Sequence, residues 1–258
     1  MQADRNLIFD LGLHRGEDSD YYLRKGFRVV ALEANPELVR SAASRFRSET
    51  RAGRFTAVQK ALWKTSGDIV TFHVNPEKDD WSSVLESWAG KGGHALTTIQ
   101  VETLTLSDLF DAHGVPYYVK CDIEGADDVF VDQLVADERM PDFVSVEAAS
   151  LDLVSKLAAK GYDAFQLVNQ ATLWAVPAMR PPREGDVVEV TFNGHMSGPF
   201  GLELPERRWK DRTTISELFE SFIRLNQYDD LLGFGWVDFH ATTREALSKR
   251  KAETASLA

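Results

Sequence analysis

Four acidic side chains stand where an α/β enzyme would place its chemistry. Asp10 follows the apolar run Leu7-Ile8-Phe9 and opens the turn Asp10-Leu11-Gly12-Leu13-His14-Arg15-Gly16. Glu33 closes the apolar run Arg28-Val29-Val30-Ala31-Leu32. Asp122 follows Tyr117–Cys121 and begins Asp122-Ile123-Glu124-Gly125, and Glu147 follows Phe143–Val146. Each acid ends an apolar run that reads as a buried strand. Ligands of open α/β sheets bind at those strand ends. Acids gathered there raise one another's pKa, which a cationic cofactor or a metal would relieve.

The first turn narrows the ligand. Gly12 and Gly16 let the backbone come close to a ligand and free amides at a helix N-terminus. The spacing is D-x-G-x-x-x-G, whereas a dinucleotide pyrophosphate calls for G-x-G-x-x-G. Glu33 at the second strand end can accept both ribose hydroxyls, as in any adenosine-binding sheet. An adenosine ligand with positive charge and no phosphate fits both observations. S-adenosylmethionine (SAM) is such a ligand, and Asp10 suits its ammonium and sulfonium. The bland reading is a strand-end acid and two turn glycines. Asn35 is read as a helix cap, with a second reading beside the ribose. His14 either lines the methionine pocket or is simply exposed. Topology puts Ala61, in Lys60-Ala61-Leu62, near the adenine.

At the other strand ends the expected chemistry is methyl transfer to oxygen. An alcohol is a poor nucleophile at neutral pH, so it needs alignment and deprotonation. Asp122 can take the proton directly. Alternatively Asp122 and Glu147, with Glu124, hold Mg²⁺, which acidifies a bound hydroxyl. Glu124 is equally well explained as an acid favoured at a helix N-terminus. His195, in Asn193-Gly194-His195-Met196-Ser197-Gly198-Pro199-Phe200-Gly201, is a candidate base or substrate contact. No histidine or cysteine spacing matches a zinc site.

The elements that must position these residues alternate. The order reads βαβα, a β insertion, then αβαβα and a closing antiparallel hairpin over residues 162–168 and 172–176. That alternation predicts a doubly wound, mostly parallel α/β sheet. Asn35-Pro36-Glu37 gives a cap, a proline at the first helical position and a first-turn acid. Residues 75–96, with Trp81 and Trp88, form a long irregular stretch of the kind often used as a lid or binding loop. The main domain is expected over residues 1–176. Residues 177–258 are expected as a C-terminal extension packed on it, with a strand near Val187–Phe192 and a helix carrying Ile215, Phe219, Phe222 and Ile223. That helix buries its apolar face either in its own domain or in a second copy of the chain.

The chain has 258 residues and a formal net charge of -11. An acidic surface repels phosphate backbones and excludes nucleic acid as the expected partner. Arg207, Arg208, Lys210 and Arg212 are the one dense basic cluster in mid-chain, read as a solvated face. Lys249, Arg250 and Lys251 make a short basic tail. The single cysteine, Cys121, sits in an apolar run and is expected to be buried and inert. No signal-like start and no membrane-length apolar run is present, so a cytoplasmic protein is expected.

Three blocks also carry a resemblance. Residues 8–39 (IFDLGLHRGEDSDYYLRKGFRVVALEANPELV), 101–110 (VETLTLSDLF) and 117–134 (YYVKCDIEGADDVFVDQL) resemble the FkbM-type methyltransferases in order and spacing. The Asp-Ile-Glu-Gly block is the most specific. The resemblance implies a class I SAM-dependent methyltransferase fold, Rossmann-like, and methyl transfer to hydroxyl oxygens of macrolide-like metabolites, sugars or glycan chains. It assigns a cofactor role to Asp10, Gly12, Gly16, Glu33 and Asn35. It assigns a catalytic role to Asp122 and, after it, Glu124. Trp81-Ser82-Ser83 resembles a serine-containing block near the family's substrate. Ser197–Gly201 is similar to a C-terminal element of members associated with bacterial surface polysaccharides. Leu13-His14-Arg15 departs from the small residues usual in the first turn. The expected function is an O-methyltransferase of a saccharide or glycoconjugate. The alternatives are the same catalyst on a polyketide-like metabolite, a non-catalytic SAM-binding module, and an NAD-dependent sugar enzyme. The last lacks both G-x-G-x-x-G and a Tyr-x-x-x-Lys pair.

Overall fold

The computed structural model describes residues 3–227 and 235–249; Arg250 and Lys251 of the basic tail lie outside them. The chain forms two compact units, Met1–Pro141 and Asp142–Ala258.

The first unit runs β1 (Asp4–Leu11), α1 (Glu17–Arg24), β2 (Arg28–Glu33), α2 (Pro36–Arg45), α3 (Arg47–Arg51) and β3 (Phe55–Gln59). It continues with β4 (Ala61–Leu62), β5 (Ile69–Val74), α4 (Glu86–Ala89), β6 (Thr97–Leu104), α5 (Leu106–His113), β7 (Pro116–Cys121) and α6 (Asp127–Ala136). Strands β3, β2, β1 and β7 lie side by side in that order, and β1 pairs in parallel with both β2 and β7, as β2 does with β3. All six residues of β7 and the last five of β1 are buried, the near-continuous apolar run of a strand covered on both faces.

Register shows which helix covers which face. Ile8 lies beside Tyr118 and Phe9 beside Val119. Successive side chains point to opposite faces. Tyr118 meets Tyr22 of α1 edge-on, with ring centroids 5.9 Å apart. Phe9 stacks on Phe110 of α5 at 6.0 Å. Helices therefore cover both faces, and this is the doubly wound parallel sheet that the sequence predicts. The chain moves outward from β1 to β3, then returns to the other side of β1 as β7. The β1/β7 pair is thus the switch point of the sheet.

Local chemistry sets the boundaries. Asn35 caps α2, its side-chain oxygen accepting the Glu37 amide at 2.9 Å. Thr105 and Asp108 form a reciprocal capping box that starts α5. The β insertion is a small sheet, β4-β6-β5, with β5 antiparallel to β6. Phe72 and Val101 of this sheet pack with Ala61 and Ala34.

The second unit runs β8 (Phe143–Glu147), α7 (Leu151–Lys160), β9 (Ala164–Asn169), α8 (Arg212–Gln227) and β10 (Val237–Thr242). β10 lies between β8 and β9, antiparallel to both. The expected strand at Thr172–Val176 is instead a 3-10 turn, Gln170–Ala175. Asn169 causes it, since its side-chain oxygen accepts the Ala171 amide at 3.0 Å and turns the chain as β9 ends. The closing strand comes from residues 237–242, far later in the chain. The strand expected near Val187–Phe192 is irregular. Phe219 of α8 packs on Phe239 of β10, with centroids 4.9 Å apart, so this face of the helix serves its own unit. Among the basic cluster, Arg208 donates to the Leu167 carbonyl and Lys210 to that of Arg207. No described helix is long and apolar enough to cross a membrane.

Candidate active site

The site is built where β1, β2 and β7 end. Gly12 follows β1 with φ +87°, and a Cβ there would come within 1.8 Å of the Asp122 carbonyl oxygen. Only glycine lets the two strand tips approach so closely. Gly16 begins α1 with φ +80°, and a Cβ there would lie 2.8 Å from the Phe46 ring.

Four amides of the turn are bonded within the protein. Gly12 and Leu13 both donate to the Leu32 carbonyl at 3.0 Å, and Gly16 donates to the Leu13 carbonyl at 2.9 Å. The His14 amide donates to Glu33 Oε2 at 2.9 Å. A phosphate-binding turn would point such amides at the anion. This one turns them back into the protein, which supports a ligand without phosphate.

Glu33 is held by two backbone amides. Its Oε1 accepts the Asn35 amide at 2.8 Å and its Oε2 the His14 amide. A carboxylate oxygen has two acceptor sites, so one backbone bond each leaves both oxygens able to accept ribose hydroxyls. Burial pushes the carboxyl up to about 7, against the pull of the two amides and Lys120. Asn35 acts as a cap through its side chain and as an orienter of Glu33 through its amide. Ala61 is buried in β4.

Asp10 lies deeper than the other strand-end acids. Its side chain is fully buried and does not face an open cleft. Its Oδ2 accepts the Ser19 hydroxyl at 2.6 Å, and its Oδ1 lies 3.4 Å from Lys120 Nζ. Burial pushes the carboxyl up, and Lys120 and Ser19 draw it back only in part. Asp10 is thereby tied through Lys120 to the turn that follows β1. The partner that explains it, Lys120, was not singled out in the sequence. Lys120 Nζ donates to the Gly12 carbonyl at 2.8 Å and lies 3.8 Å from Asp122 and 4.0 Å from Asp18. Burial disfavours its charge, but Asp10, Asp122 and Asp18 hold the ammonium well above the ordinary lysine range. A lone lysine inside Tyr117–Cys121 was the available signal, because a charge in a buried strand requires counter-charges. The neighbouring Cys121 thiol is buried and pushed up, as an inert cysteine should be.

Asp122 differs from Asp10. Its side chain is 46% exposed, beside the buried Lys120. Glu124 has a left-handed backbone, φ 53°, and its carboxylate accepts the Trp88 indole N–H at 2.7 Å. His14 is likewise left-handed, φ 50°, and its Nε2 lies 3.3 Å from Asp79. Arg15 donates to the same Asp79 from Nε at 3.2 Å and from a terminal nitrogen at 2.9 Å. Those contacts account for the unusual Leu13-His14-Arg15. The two polar residues grip the loop that carries Asp79. Burial works against the charge of Asp79, but Arg15 and His14 hold its carboxyl below the usual range.

Trp81, Ser82 and Ser83 lie in that same segment. Ser83 is buried and donates to the Glu124 carbonyl at 2.7 Å. Ser82 accepts the Asn75 amide at 3.1 Å, and Trp81 meets His94 edge-on at 5.9 Å. The serines thus bind the protein's own backbone. In the second unit, Glu147 ends β8, and His195 is exposed in a turn where Asn193 accepts its amide at 2.9 Å. Ser197 and Phe200 of the glycine-rich segment are buried.

A family model described as "Methyltransferase FkbM domain" matches residues 10–148. No curated protein matches the chain. Among solved structures, a methyltransferase FkbM from Methylobacillus flagellatus KT is 19% identical with TM-score 0.35, over 57% of this chain and 34% of that one. The chain thus spans about a third of that protein's length. A precorrin-6Y C5,15-methyltransferase from Geobacter metallireducens GS-15 is 17% identical with TM-score 0.37, covering 74% and 77% of the two chains. A SAM-dependent O-methyltransferase from Thermotoga maritima is 9% identical with TM-score 0.37, covering 93% and 60%.

Proposed function

The chain belongs to the FkbM methyltransferase family, and from that premise we propose that it transfers the methyl group of SAM to a hydroxyl oxygen of a saccharide or glycoconjugate. The observation that carries this reading is the pairing of a ribose-ready Glu33 at the end of β2 with a half-exposed Asp122 at the end of β7. Glu33 accepts the two ribose hydroxyls. The Gly12–Gly16 turn, its amides bound internally, lies along the methionine portion. SAM supplies an already activated methyl, which passes from sulfur to oxygen as the sulfur leaves as a neutral thioether. Asp122 accepts the proton that the acceptor hydroxyl loses, so charge and atoms balance. Glu124 is engaged by Trp88 and does not compete for that proton. The similarity of Ser197–Gly201 to an element of polysaccharide-associated members supports the saccharide as acceptor class.

The test is methyl transfer from isotope-labelled SAM to a panel of oligosaccharides and hydroxylated macrolactones, read by mass spectrometry. Label on a sugar oxygen supports the reading. Label on the macrolactone alone replaces the acceptor class, and SAM binding with no transfer to any acceptor turns the chain into a SAM-binding module. Calorimetric titration with NAD beside SAM separates a nucleotide-dependent sugar enzyme, for which NAD alone would bind. Turnover in EDTA against turnover in Mg²⁺ decides between Asp122 as proton acceptor and Asp122 as metal ligand.

A further inference from the structure

The two strand tips share an anomaly. Each carries a non-glycine residue in the left-handed region, His14 at φ 50° after β1 and Glu124 at φ 53° after β7. Such a backbone is strained for a residue with a side chain and persists only where its surroundings enforce it. Both residues are held by one stretch of chain. Asp79 takes the side chains of His14 and Arg15. Ser83 donates to the Glu124 carbonyl, and Trp88 donates to the Glu124 carboxylate, each at 2.7 Å. The Trp88 ring also covers Gly125 so closely that a Cβ there would lie 2.5 Å from it.

The stretch has its own internal brace. Asn75 is fully buried. Its amide donates to Ser82, its side-chain nitrogen to the Ala89 carbonyl at 2.8 Å, and its side-chain oxygen accepts the amides of Glu77 and Lys78. Residues 75–89 therefore behave as one body with two anchors. Both anchors lead to the cofactor turn. From Asp79 the path runs through His14, whose amide orients Glu33. From Trp88 it runs through the Glu124 turn to Asp122, whose carbonyl packs on Gly12.

We infer that residues 75–89 form a strap that preforms the SAM site, with Asp79 and Trp88 as positioning residues at its two ends. The inference rests on the SAM reading above. A site held competent before the ligand arrives binds with its full intrinsic affinity. One that is competent for only a fraction of the time binds more weakly by that fraction. Releasing an anchor should therefore slow association and leave dissociation nearly unchanged.

The experiment uses SAM alone, with stopped-flow tryptophan fluorescence for rates and calorimetry for affinity, well below the melting transition. Asp79→Ala should weaken SAM binding about tenfold, mostly through the association rate. Trp88→Phe keeps a ring on Gly125, loses the N–H and should act in the same direction. The Asp79→Ala/Trp88→Phe double variant should lose less than the product of the two single effects, since one strap cannot be released twice. Unchanged SAM affinity and association rate in both single variants, with only a lower melting temperature, would overturn the strap. So would strict additivity. An unaltered chain that fails to bind SAM would instead remove the cofactor reading itself.

Discussion

The tips of β1 and β7 are built alike and behave in opposite ways. Each carries an aspartate within one residue of its end, and each turns through a left-handed non-glycine residue soon afterwards. Lys120 lies between the two acids, 3.4 Å from Asp10 and 3.8 Å from Asp122. Yet Asp10 is sealed in the interior, while Asp122 is 46% exposed. Two acids at neighbouring strand tips, sharing one lysine, thus differ sharply in their access to solvent. The buried member pins the cofactor turn through Lys120 and Gly12. The exposed member is free to meet an acceptor.

The sharpest way to break this contrast is to neutralise each acid. Asp122→Asn should lower turnover by roughly 10²–10⁴-fold, the range for a positioned general base, with SAM affinity nearly unchanged. Undiminished activity of the Asp122→Asn variant in the labelled-methyl assay would move the proton acceptor elsewhere. Asp10→Ala should do the reverse. Removing one partner of a buried ion pair costs about 3–5 kcal/mol of stability, visible in urea unfolding. Turnover per folded molecule at saturating SAM should survive.

Glu33 lies between these extremes, buried yet proposed to meet the ribose. Glu33→Ala should weaken SAM binding by about 1–3 kcal/mol, the value of charged hydrogen bonds, by calorimetry. Its folded carboxyl titrates at about 7, against an ordinary 4.5. Between those values the folded chain holds a proton that the unfolded chain has lost. The contribution to stability is full below about 4.5 and falls away as pH rises to about 7. SAM affinity should move the other way, rising with pH through that same window, because ribose hydroxyls prefer the ionised carboxylate. A flat affinity profile between about pH 5 and about pH 8, a span that brackets the titration, would detach Glu33 from the ribose. The smallest effect belongs to Ser82→Ala, which removes one acceptor for a backbone amide and should cost about 1 kcal/mol in thermal unfolding.

Legibility in the sequence followed the kind of signal each residue gives. α2 was readable because Asn35-Pro36-Glu37 states its own start locally, and the cap bond is present. The parallel strands were readable as apolar runs. β10 was not, because Asp238 and His240 interrupt it, although both are buried at 8% and 2% exposure. Its partners β8 and β9 are distant in sequence, so no local pattern announces the pairing. Glu33 was placed by position alone, and its two amide bonds agree with the role proposed for it. Asp10 was located correctly, but its burial was invisible without Lys120, which reaches it across strands. Asp79 gave no signal, since an acid in an irregular stretch resembles any solvated side chain. Its significance lies in what the loop folds back upon.

The placement of β10 sets a schedule for making the protein. A nascent chain that has emerged as far as Asn169 already possesses β8 and β9, but the strand that separates them has yet to be synthesised. Backbone donors and acceptors on both strands must wait for Val237–Thr242 before they are satisfied. During that interval the exposed edges are open to pairing with other chains. Ribosome-bound chains stalled before residue 237 should accordingly be the most dependent on chaperones, and release past residue 242 should end that dependence.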